Sequence, residues 1–77
     1  MGKKIIDKPT TYEHGTLDLT NGSFSVVNNA TLTLTDTTVN GNISPANPVL
    51  FDIANGHLIL NKNTFNITAD EISPNPQ

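Results

Sequence analysis

Apolar and polar residues alternate along this chain in short runs, and one run recurs. Residues 30–39 read ATLTLTDTTV: a small residue, x-Leu-x-Leu, four more residues, then a large apolar one. The same order occurs at Gly15, Leu17, Leu19 and Phe24, and again at Gly56, Leu58, Leu60 and Phe65. Alternation with a period of two puts successive side chains on opposite faces of an extended strand. The pattern therefore predicts short half-buried strands at 16–19, 23–27, 31–35, 38–43, 49–53, 57–60 and 64–67. Their leading apolar residues are Leu17, Phe24, Leu32, Val39, Phe51, Leu58 and Phe65, seven or eight apart except for one step of 12. That step holds Ser44-Pro45-Ala46-Asn47-Pro48, an inserted loop. No window carries apolar residues at helical spacing, and Thr and Asn are abundant, so no helix is expected.

The joints between strands have turn chemistry. Asn21-Gly22, Asn28-Asn29, Asn40-Gly41, Asn55-Gly56 and Asn61-Lys62-Asn63 fall there. Asn tolerates the left-handed backbone region and Gly enters it freely. The chain reads as one small β domain. Residues 1–14 form a lead-in or N-terminal cap, in which Ile5 and Ile6 either begin a strand or cover one end of the core. Residues 15–68 carry the repeats, and 69–77 are a polar, Pro-rich tail that caps the end or frays.

Two all-β architectures fit. One is an antiparallel sandwich or barrel built from hairpins, for which Asn-Gly is the leading signal. The other is a short right-handed parallel β-solenoid of about three coils, about 22 residues each. The repeated x-Leu-x-Leu favours the solenoid, because stacking sets like residues on like. Asn at successive turns would then form a ladder of side-chain amide hydrogen bonds. The stretches NATLTLTDTTVNGN (29–42) and NGHLILNKNTFNIT (55–68) resemble rungs of the right-handed parallel β-helix, the pectin-lyase-like class of tailspikes, adhesins and polysaccharide lyases. Residues 15–26 are a looser third copy. The copies are spaced 15 and 26 apart, and there is room for few coils, so the resemblance implies a fold and no activity.

Composition then narrows the functions. At 77 residues without cysteine, the chain has a small core and no disulfide to staple it. Regular hydrogen bonding or association must supply the margin. Three lysines fall in the first eight residues; from Pro9 onward a single base, Lys62, faces six acids. Gripping nucleic acid needs a basic stripe, so direct nucleic-acid binding is not expected. No apolar run is long enough to span a membrane, and Ile6 breaks the myristoylation pattern that Gly2 begins. With no signal peptide, the expected location is the cytoplasm of the producing or host cell, or the virion or cell surface for a fibre or adhesin fragment.

Candidate chemistry is thin. Asp18 and Asp52 each sit between apolar neighbours and should point outward. A glycosidase pair would need two carboxylates about 5–9 Å apart in a cleft. Three coils offer no cleft, and the chain lacks Arg and Trp. His14 and His57 are 43 apart and border turns. No nucleophile elbow or phosphate-cradling motif occurs. The sequons at Asn21, Asn29, Asn42 and Asn66 read as turns. The expectation is a protein that is not an enzyme and takes no cofactor or metal. It is a non-catalytic protein-binding module, for example a phage- or mobile-element-encoded inhibitor of a host factor of the anti-CRISPR type. The alternative is a structural fragment of a tail fibre, tailspike or adhesin, usually trimeric; carbohydrate binding or cleavage ranks third. Solenoid ends and strand edges are the expected working surfaces, for a protein partner or for self-association. Tyr12, Phe51, Pro45, Asn47, Pro48, Asp18 and Asp52 are the candidate contact residues.

Overall fold

Every strand pairing among the described residues is parallel. The computed structural model describes residues 2–69, and nine strands lie among them: β1 (Lys3–Ile6), β2 (Thr10–Glu13), β3 (Thr16–Leu19), β4 (Ser23–Val26), β5 (Thr31–Thr35), β6 (Thr38–Ile43), β7 (Phe51–Asp52), β8 (His57–Asn61) and β9 (Thr64–Ala69). They form three three-stranded sheets ordered β1-β4-β7, β2-β5-β8 and β3-β6-β9. Each strand thus pairs with the strand three places later. This is a parallel β-solenoid of three coils: β1–β3, β4–β6 and β7–β9. The hairpin alternative fails, because the single antiparallel contact among the described residues is an isolated bridge from Ser44 to Asn47.

Two copies of the repeat stack as expected. Leu32 pairs with Leu58, Leu34 with Leu60 and Val39 with Phe65. The third copy does not join them. Leu17 pairs with Val39 and Leu19 with Gly41, one sheet further round. Thr10 and Tyr12 lie under Leu32 and Leu34 instead. The segment read as a lead-in therefore supplies β1 and β2 of the first coil. Its pattern was hard to see because Lys4 and Thr10 occupy inward positions that are apolar in the next coil, opposite Phe24 and Leu32.

The core is the lumen of the solenoid. Ile6, Leu19, Phe24, Val26, Ala30, Leu32, Leu34, Val39 and Leu50 are buried there. An aromatic row runs through it. Tyr12 is 5.9 Å from Phe24, Phe24 stacks on Phe51 at 5.8 Å, and Phe51 meets the edge of Phe65 at 6.5 Å. Such pairs add about 0.5–1.5 kcal/mol each beyond area burial.

The turns divide their work differently from the expectation. The left-handed residues are His14, Asn21, Asn28, Asn29, Asp36 and Lys62, and no described glycine has positive φ. His14, Asp36 and Lys62 mark the same corner in successive coils, following β2, β5 and β8. The glycines instead make room. A Cβ on Gly56 would lie 2.5 Å from Val26 Cγ1 and 2.9 Å from the Val26 carbonyl oxygen. Gly41 faces the lumen, where Leu50, brought in by the inserted loop, fills the space beside it.

Asn side chains do bridge coils, but not as a ladder at the turns. Asn66 Nδ2 donates to Asn40 Oδ1 at 2.9 Å on an outer strand face. Elsewhere the amides serve backbone. Asn63 Oδ1 accepts from the Thr37 N–H at 3.0 Å while its Nδ2 donates to the Leu34 carbonyl at 2.9 Å. Asn42 Oδ1 accepts from the Asn21 N–H at 2.9 Å. Of the four sequon asparagines, Asn21 and Asn29 lie in turns, whereas Asn42 and Asn66 lie in β6 and β9, which corrects the reading of all four as turns.

Candidate functional site

The two ends of the solenoid are built differently. At the first coil, Ile6 and Leu19 are buried, and the other inward positions hold Lys4, Thr10 and the half-buried Tyr12 and Leu17. Lys3, Lys4, Lys8 and Pro9 line that edge. Lysines and prolines on a strand edge block pairing with another chain. At the last coil, Leu60, Phe65 and Ile67 continue the inward columns of Leu34, Val39 and Gly41, yet they are 46%, 41% and 37% exposed. Leu34 and Val39, one coil back, are 0% exposed. β7, β8 and β9 are the outermost strands of their sheets, and no Pro and no Lys lies within them. Among the described residues nothing lies over this end. Within those residues it is an apolar face bordered by outermost strand edges, and the tail expected to cap an end or fray lies, from residue 70, outside the described residues.

Ile59 adds an outward apolar residue to the same rim. Its column reads Thr11, Thr33, Ile59, and it is 47% exposed. This column is polar in the first two coils and apolar in the third.

The candidate contact residues scatter over the molecule. Tyr12 and Phe51 belong to the aromatic row and are half-buried; only Phe51 is on the open coil. Pro45 and Pro48 are exposed on the inserted loop. Asn47 fastens that loop, donating from Nδ2 to the Gly22 carbonyl at 2.9 Å and from its N–H to Ser44 Oγ at 3.1 Å. Asp18 and Asp52 are exposed but stand in different sheets and different coils. Each holds the turn that follows it. Asp18 Oδ1 accepts from the Thr20 hydroxyl at 2.6 Å and the Thr20 N–H at 2.9 Å; Asp52 Oδ1 accepts from the Ala54 N–H at 3.2 Å. The Thr20 hydroxyl and N–H hold the Asp18 carboxyl below the ordinary carboxylate range. His14 Nδ1 lies 2.9 Å from Asp36 Oδ2 on adjacent coils, with both side chains well exposed. His57 is exposed on β8. No three His, Asp or Glu side chains among the described residues converge to hold a metal.

The residues that sequence reasoning passed over are Ile59, Leu60, Phe65 and Ile67. Their types were visible, but alternation placed Leu60, Phe65 and Ile67 in a closed core and Ile59 on the outer face. Comparison with known proteins finds no matching family model, no matching characterised protein and no matching solved structure.

Proposed function

We propose that this chain is a non-catalytic protein-binding module whose working surface is the open end of the third coil. The exposure of Leu60, Phe65 and Ile67 at inward positions carries the reading. Large exposed apolar patches on soluble proteins mark interaction sites, and a bare strand edge adds backbone hydrogen bonds to that attraction. An inhibitor of a host factor and a fragment of a fibre or adhesin both use such a surface. They differ in what covers it: a foreign protein in the first case, further coils or a trimer in the second.

Capture from a lysate of the producing or host cell tests the reading. Immobilised protein should retain a partner, Leu60→Asp and Phe65→Asp should each abolish retention, and Thr11→Asp at the far end should not. Retention that survives both end variants, or turnover of a polysaccharide by the purified chain, would overturn it.

A further inference from the structure

The open end is suited to a second copy of itself. We infer that two chains join end to end through their third coils, about a two-fold axis passing through Ile59 at the middle of β8. The inference rests on the reading of this end as a binding surface and names what occupies it when no other partner is present.

The asymmetry of the ends limits the choices. Stacking the first coil of one chain on the third coil of another would set Lys4 over Phe51 and Thr10 over Leu58, by continuation of the existing register. It would also bring the lysine- and proline-bearing edge into the joint. Joining two third coils brings together only edges that lack those blocks. A two-fold joint closes on itself and stops at a dimer.

The sequence of β8, His-Leu-Ile-Leu-Asn, is self-complementary in antiparallel pairing. Centred on Ile59, it sets Leu58 against the partner's Leu60 and Leu60 against the partner's Leu58, inward against inward. A shift by one residue would set inward against outward side chains, so register is fixed by burial. Ile59 then meets the partner's Ile59 on the outer face, at the distance of a cross-strand pair. That contact gives the apolar end of the Thr11-Thr33-Ile59 column a role. The same axis exchanges the turns on either side of β8. The turn behind Asp52 comes over the corner that carries Lys62, which sets an acid near a base on each side of the axis.

Area sets the strength. A coil of 26 residues at about 3.3 Å per residue encloses at most about 600 Å². Two such faces bury on the order of 1,000 Å², the lower end for a specific interface. The dimer is therefore weak and concentration-dependent, and a better-fitting partner displaces it.

Light scattering behind a sizing column should show mass rising from 8.3 kDa toward twice that value as loading concentration increases, and Leu60→Glu should hold it at the monomer. The chain has no cysteine, so Ile59→Cys provides a direct geometric test with diamide as oxidant. It should yield a disulfide dimer within the time that Thr11→Cys, in the same column at the other end, yields none. A monomer at every concentration, with both cysteine variants cross-linking alike, would overturn the dimer, as would ladders of higher oligomers. Loss of the dimer with capture of another protein still sensitive to Leu60→Asp would leave the binding-module reading standing. A dimer without such capture would do the reverse.

Discussion

The second and third coils carry nearly the same inward residues and live in different surroundings. Leu32, Leu34 and Val39 have a coil on either side and are fully buried; Leu58, Leu60 and Phe65, in register with them, have a coil on one side only among the described residues. A repeat protein assigns stability to interfaces between neighbours rather than to repeats themselves. The middle coil shares two such interfaces and the last coil one. The same leucine is therefore a core residue in one coil and a contact surface in the next.

The largest expected effect tests that difference directly. Leu34→Ala removes a fully buried side chain and should cost about 2–5 kcal/mol, enough to unfold most of a domain this small. Leu60→Ala, nearly half exposed, should cost about 1 kcal/mol or less in urea denaturation at low micromolar protein. Equal losses would mean that something covers the third coil even in dilute solution. If the end-to-end dimer forms, the Leu60→Ala penalty should grow with protein concentration while that of Leu34→Ala stays constant.

This comparison also explains what was legible from sequence. β5 and β6 could be read to the residue because Leu32, Leu34 and Val39 alternate cleanly with Thr and are flanked by turn residues. β1 and β2 were obscured because an end coil tolerates Lys4 and Thr10 at inward positions, where a middle coil requires apolar ones. The false equivalence of Leu17 with Leu32 arose because all three sheets use similar strands, so a shift of one sheet preserves the pattern. The open end left no local signal at all. Exposure of Leu60 and Phe65 depends on how many coils follow, and alternation does not record that.

A smaller effect concerns the seam between the second and third coils. Gly56→Ala would drive a Cβ against Val26 and within 3.0 Å of the Ala30 carbonyl oxygen, with backbone as part of the obstacle. The expected cost is about 1–3 kcal/mol, typical of overpacking. Gly15→Ala, whose nearest neighbour would be the Glu13 carbonyl oxygen at 3.7 Å, should change thermal stability far less. Asn63→Ala acts at the same seam by removing an acceptor for the Thr37 N–H and a donor to the Leu34 carbonyl. It should cost about 1–3 kcal/mol, and amide exchange at Thr37 should quicken more than at Asn40. Comparable exchange at both sites would show that Asn63 does not tie the coils together there.

The smallest effect lies in the first coil, away from the open end. Asp18 accepts two hydrogen bonds from Thr20, first the hydroxyl and then the backbone N–H, and its carboxyl is held below its ordinary value in consequence. A carboxyl whose folded-state affinity for protons is reduced stabilises the fold above the ordinary carboxylate range. That contribution fades as pH falls through the depressed value, because the unfolded chain takes up the proton first. Asp18 is fully exposed, so the effect is small and salt screens its charged part. Asp18→Asn should flatten the acid limb of the stability profile slightly and leave dimer formation unchanged, since Asp18 stands on the opposite end coil. A change in the concentration dependence of mass on making Asp18→Asn would mean that the first coil takes part in association, and the contrast between the two ends would fail.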